Sequence, residues 1–188
     1  MLTPISCRNV FYSFQIPFCK LCRSNATCET DLRLELTSDI TQYLVGKEEP
    51  IELTIDVSNG PDGAYNSHLR FEYPRGMRWL QENTTADFDD YTCLRVSRED
   101  ADPQFEYIEC NIGNPILAST NRRMSFLMDR DGSSDLPLTL RFTASVQTKS
   151  TETPEDLGNN NKTILLRTVY DAELLANGCE ILEFSFHI

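Results

Sequence analysis

The chain has 188 residues, of which 40% are hydrophobic and 24% charged, with 29 acidic against 17 basic side chains and a formal net charge of −12. That length and composition describe one domain with a core of its own and argue against disorder. No stripe of Lys or Arg interrupts the negative charge, so nucleic acid and anionic membrane surfaces are excluded as partners.

The opening stretch, "MLTPISCRNVFYSFQIPF", lacks a basic segment, an uninterrupted apolar core and a small-residue cleavage site. No apolar run approaches the roughly 20 residues that span a bilayer. For a secretory protein, these lead us to expect a piece of a longer precursor. The next stretch, "FCKLCRSNATCETDLRLEL", places three cysteines within ten positions. Cys19 and Cys22 form a Cys-x-x-Cys, but no βαβ pattern surrounds it as a redox motif requires. Cys7, Cys19, Cys22 and Cys28 have eleven, two and five residues between them, unlike the two tight ligand pairs of a structural zinc site. Seven cysteines, two histidines and Asn-x-Thr triplets at Asn25, Asn83 and Asn161 point instead to an oxidising, secretory route. The cluster is therefore read as oxidised.

From Leu32 onward, apolar residues recur at every second position, the period of a strand with one face on a core. Leu32, Leu34 and Leu36 make the first run, and Ile51, Leu53, Ile55 and Val57 the second, which ends at the turn-rich "SNGPDG". Leu69, Phe71 and Tyr73 alternate until Pro74 removes a ladder donor. "YTCLRVS" and "FEYIECNIG" follow, each with one cysteine. Met124, Phe126 and Met128 make the next run, then Leu138, Leu140, Phe142, Ala144 and Val146. The loop "TKSTETPEDLGNNN" leads to "KTILLRTVYDAELL", whose β-branched and aromatic content favours a strand. About eight strands without intervening helices predict an all-β, antiparallel sandwich.

The polar clusters carry little chemistry. "DRDGSSD", Asp129 to Asp135, has Gly132 fourth and Leu140 at the twelfth position, so it fails as an EF-hand loop and is read as a solvated hairpin turn. "DFDD", Asp87 to Asp90, is read as a solvated loop. His68 falls in a strand-like run, as an outward or rim side chain, and His187 lies beside the end. No nucleophile is paired with a base, and we expect no enzyme.

Four pieces occur in one order: "QIPFCKLCRSNATCETDLRLEL", "EEPIELTIDVSNGPDGAYNSHLRFEYP", "YTCLRV" with "YIECNIGNPI", and "LLRTVYDAELLANG". From about Gln15 to Gly178 the chain resembles the first calf domain of an integrin alpha subunit, an immunoglobulin-like sandwich, preceded by the end of the thigh domain and the knee. The resemblance divides the chain into a thigh remnant and linker (1–21), a calf-type domain (22–178) and a divergent tail (179–188). It implies Cys22–Cys28 and Cys93–Cys110 disulfides, and leaves Cys7, Cys19 and Cys179 without partners in the family pattern. Gly60 and Gly63 suit a turn needing positive φ or close backbone approach, Tyr65 suits a buried ring whose hydroxyl finds a partner, and Gly113 ends the Cys110 strand.

The resemblance also implies a calcium ion at the knee, held by carbonyls and by acidic residues at the positions of Asn25 and Asn66. Both carboxylates are missing here, so no cofactor, or at most a weakly held ion, is expected. The function implied is mechanical: an extracellular leg segment of a single-pass adhesion receptor, which bends or extends at the knee and pairs with an integrin beta subunit through the full receptor. The alternative is a free-standing secreted β-sandwich that binds through its loops.

Overall fold

In the computed structural model, residues 29–46, 49–97, 102–132 and 135–170 are described. The strands are β1 (Leu32–Ser38), β2 (Gln42–Val45), β3 (Ile51–Asn59), β4 (His68–Pro74), β5 (Met77–Trp79), β6 (Thr85–Ala86), β7 (Thr92–Val96), β8 (Phe105–Asn111), β9 (Asn121–Arg130), β10 (Thr139–Gln147) and β11 (Asn161–Tyr170). Two sheets pack face to face. One has the order β1-β3-β9-β5, with β6 also on β9, and the other the order β2-β11-β10-β4-β8-β7.

The two-residue period explains the core. Leu32 and Leu34 of β1, Ile51, Leu53 and Ile55 of β3, and Met124, Phe126 and Met128 of β9 are buried from one sheet. Leu69, Phe71 and Tyr73 of β4, Ile108 of β8, and Leu140, Phe142 and Ala144 of β10 meet them from the other. Phe71 holds the centre, with ring centroids 5.3 Å from Phe126 across the sandwich and 6.1 Å from Phe142 beside it. Each such side chain stabilises the fold by roughly 1.5–3 kcal/mol relative to exposure.

The immunoglobulin-like sandwich agrees with the sequence reading, but several local expectations are corrected. Three strands lie beyond the eight expected: β2, β5 and β6 have four, three and two residues, too few to display a period. β5 nevertheless buries Met77 and Trp79, and Trp79 meets Phe126 edge-on at 6.0 Å. Leu138 shares the parity of the β10 core residues yet is 70% exposed, because it precedes the strand. His68, by contrast, is exposed at the start of β4 as expected.

"DRDGSSD" is not a hairpin turn. β9 and β10, which flank it, are not paired with each other and belong to different sheets. Its first residue, Asp129, accepts from Arg78 Nη2 at 2.9 Å. "DFDD" is not simply solvated either. Phe88 is buried, the Arg122 guanidinium sits 4.6 Å from the centroid of its ring, and Asp90 lies 3.6 Å from Arg122. Asp87 Oδ1 accepts the Arg123 N–H at 2.9 Å, so the loop is fastened to β9.

Among the described residues, all strand pairs are antiparallel except one. After β1 the chain changes sheets at residues 39–41, and β2 pairs parallel to β11 over Gln42↔Arg167 to Val45↔Tyr170.

Candidate functional site: the proximal loop cluster

The described chain begins at one end of the sandwich, with Glu29 beside Thr151, and its last residue, Tyr170, lies at the other, where its hydroxyl donates to the Leu136 carbonyl. At the proximal end, four segments converge: residues 29–31, the β3–β4 connection, the segment after β8, and the β10–β11 connection. Their polar composition reads as solvated loop, yet Asn59, Asp62, Ser67 and Asn160 are buried there. Buried polar groups need partners, and the hydrogen bonds here supply most of them.

The first residues are tied to two loops. The Glu29 N–H donates to Asp62 Oδ2 at 2.9 Å, the Thr30 N–H to the Thr151 carbonyl at 2.9 Å, and Thr30 Oγ1 to the Gly63 carbonyl at 3.2 Å. The Leu32 N–H donates to Glu152 Oε1 at 2.9 Å, and Asn160 Nδ2 donates to the other oxygen of that carboxylate at 3.0 Å. Gly60 approaches the same strand: its N–H donates to the Asp31 carbonyl at 2.8 Å, and a Cβ on Gly60 would lie 2.9 Å from the Asp31 Cβ. Neither Gly60 nor Gly63 has a positive φ, so for Gly60 close approach is the requirement that selects glycine.

Asn59 joins two of the loops. Its Nδ2 lies 2.8, 2.9 and 3.1 Å from the carbonyl oxygens of Asp62, Ile116 and Leu117. Alongside, Ala64 and Ile116 exchange backbone hydrogen bonds at 2.9 and 2.8 Å. Tyr65 is partly buried and its backbone is anchored: its N–H donates to Ser150 Oγ, and its carbonyl accepts from Thr148 Oγ1 and the Lys149 N–H. Gly113, at φ 113°, turns the chain away from β8, and its N–H donates to Asn111 Oδ1 at 3.1 Å.

Asp31 lies at the edge of this cluster, bonded to Arg33 and Asn159. Burial raises its pKa, but hydrogen bonds from Arg33 and Asn159, together with the charge of Arg33, outweigh burial and hold the carboxyl below its ordinary 3.8. A depressed carboxylate contributes stability that is present above its unfolded pKa and is lost as pH falls through the lowered folded value. Asp31→Asn is expected to be less stable than wild type at pH 7, with the gap narrowing below about pH 4. Urea midpoints at pH 7 and pH 3 check this, and an unchanged gap refutes it.

The remaining residues singled out from sequence are placed as follows. Cys93 and Cys110 face each other across β7 and β8, with sulfurs 1.97 Å apart. Asn83 is exposed on a 3-10 turn (Gln81–Asn83), and Asn161 is exposed at the start of β11. Cys22, Cys28 and Asn25 lie outside the described residues, as do Cys7, Cys19, Cys179 and His187.

The described residues do not fit a calcium ion. Asn66 offers a neutral, exposed amide on a residue at φ 51°, and its N–H donates to Asn114 Oδ1 at 3.0 Å. Asp62, the nearest carboxylate in sequence, already accepts the Glu29 N–H. Among the described residues no three His, Cys, Asp or Glu side chains are grouped to hold a metal. Calcium needs six to eight oxygens with compensating charge.

The sequence profile of the family described as integrin alpha Ig-like domain 2 matches residues 22–167. The chain belongs to this integrin alpha family. Integrin alpha ina-1 of Caenorhabditis elegans is 27% identical over 172 residues, which cover 87% of the chain and 14% of the relative. Integrin alpha-IIb of Mus musculus is 23% identical over 153 residues, covering 81% and 14%. This integrin alpha domain thus spans about one seventh of the length of those relatives. Among solved structures, a cohesin module from a Clostridium perfringens family 33 glycoside hydrolase aligns at TM-score 0.42 and 10% identity, over 76% of this chain and 99% of that one.

Sequence reasoning found Gly60, Gly63, Tyr65 and Gly113 in this cluster but not Asn59, Asp62, Asn160 or Glu152. The only local signal of the integrin alpha cluster was the density of Asn, Asp and Gly in "SNGPDG" and "LGNNN", which reads equally well as an exposed turn.

Proposed function

We propose that this chain is an extracellular leg segment of an integrin alpha subunit: the end of the thigh domain, the knee and the first calf domain of a cell-adhesion receptor. Its role is mechanical. A stapled sandwich spaces the head from the membrane and forms the lower side of the joint about which the receptor bends. Pairing with an integrin beta subunit, ligand recognition and membrane anchoring reside in the rest of the receptor, and no catalysis is assigned to the chain.

The observation that carries this reading is the proximal cluster. The chain enters at one pole through a segment bonded to the β3–β4 and β10–β11 loops, and reaches Tyr170 at the opposite pole. A spacer needs this arrangement, because a loosely attached first strand would fray before it passed on a displacement of the preceding domain.

Antibodies to this domain, used on intact cells and then for precipitation, test the proposal. The expected result is surface labelling and recovery of a much larger polypeptide together with an integrin beta subunit. Recovery solely of a free chain of 21.5 kDa, with no beta subunit, overturns it and favours a free-standing secreted module.

A further inference from the structure

β11 is only partly paired on the side away from β10, and β1 of the other sheet packs close to it. β10 pairs with it over Asn161–Arg167, but on its other side β2 pairs only with Arg167–Tyr170. Among the described residues, Asn161 to Leu166 therefore have no strand partner on that side. An unpaired backbone row is a template for another strand, and proteins guard such edges with charge, proline, bulges or a cover. This one has no proline and a single charge, Lys162, and Leu165 is 62% exposed on its outward face.

The open stretch begins with the triplet Asn161-Lys162-Thr163. It closes a run of three asparagines whose fates differ. Asn159 Nδ2 donates to Asp31 and Asn160 Nδ2 to Glu152, which ties both into the proximal cluster. Asn161 is exposed and its side chain has no hydrogen-bond partner among the described residues. Asn161, Thr163 and Leu165 share the outward face of β11, and four residues of strand put Leu165 about 13 Å from Asn161.

We infer that Asn161 carries an N-linked glycan that covers the open side of β11 and Leu165 and so prevents strand addition by a second copy of this chain. In forming the linkage, Asn161 Nδ2 bonds to the anomeric carbon of a lipid-pyrophosphate-linked oligosaccharide and gives up one amide proton. The sugar–phosphate bond breaks, and the lipid pyrophosphate leaves. A bulky, solubilising group rooted at the first residue of the edge denies a second strand the register it needs. The inference rests on the extracellular reading above, since a cytosolic chain meets no such donor.

The test uses the full chain secreted from a eukaryotic cell line. Glycopeptide mapping reads occupancy at Asn161 and Asn83, and light scattering reads self-association of wild type, Asn161→Gln, Thr163→Ala and Asn83→Gln. Asn161 is expected to be occupied. Asn161→Gln and Thr163→Ala, which both abolish the triplet, are expected to self-associate at concentrations at least about tenfold lower than wild type, and adding Leu165→Lys restores the monomer. Asn83→Gln behaves as wild type. An empty Asn161 beside an occupied Asn83, or triplet variants as monomeric as wild type, overturns the inference and leaves the leg reading standing. Absence of glycan at both positions overturns the two together.

Discussion

Phe71→Ala lowers the unfolding free energy by about 3–5 kcal/mol, the range for removing a buried aromatic ring. The ring has no solvent exposure and contacts both layers: Phe126 from the five-stranded sheet, and Phe142 and Tyr73 from its own. Its loss leaves a cavity at the midpoint of the sandwich, where strands on either side are fixed by full ladders and collapse little. Against a typical total of about 5–15 kcal/mol, the loss takes much of the margin. Denaturant unfolding of the secreted chain measures it, and a cost below about 1.5 kcal/mol, as for a volume-conserving swap, contradicts the central placement. Phe71→Leu separates cavity from chemistry, because it keeps most of the apolar contact and is expected to cost less.

Asn59→Ala is the second large effect, at about 3 kcal/mol, and it is local in a different way. One amide nitrogen donates to the carbonyls of Asp62, Ile116 and Leu117, of which the last two also accept from the Ala64 N–H and Thr120 Oγ1, and losing a hydrogen bond to a buried acceptor costs about 1–3 kcal/mol. The β3–β4 loop then loses its side-chain tie to the segment after β8 and keeps the backbone pair of Ala64 with Ile116. Hydrogen exchange is expected to accelerate at Gly60, Ala64, Ile116 and Ser119, whose N–H groups bond within this cluster, while Leu69 and Phe142 in the central strands keep their protection. Uniform acceleration across the domain points to global destabilisation and removes the cluster as a separate unit.

Long strands were legible in the sequence because their apolar period is two and their inner faces are continuous. Leu32 to Leu36, Ile51 to Val57 and Met124 to Met128 lie on the core as the alternation predicts. Parity failed just before a strand begins, as at Leu138, and periodicity was silent for β2, β5 and β6, which are held by their partners rather than by a pattern of their own. Composition misjudged the polar loops in a single direction. "DFDD" reads as solvated and "SNGPDG" as a turn, but Phe88, Asn59 and Asp62 are buried. The partners that bury them are remote: Asn59 reaches Ile116, and Leu32 reaches Glu152 across 120 positions. No local window contains such pairs, so a long-range network of this kind surfaces only as fixed spacing within a family.

The parallel pairing of β2 with β11 has a consequence under load. The described chain starts at one pole and reaches Tyr170 at the other, so tension between its ends runs along the strands and across the ladder bonds. β1 is drawn lengthwise past β3, and β11 lengthwise past β2 and β10. The seven residue pairs of β1 and β3 and the four of β2 and β11 then share the load in shear, instead of parting one after another as in a peeled hairpin. Resistance of this kind is governed by the rate of unfolding more than by the equilibrium stability. The domain is thereby built to be stiff along one axis, the line from Glu29 to Tyr170.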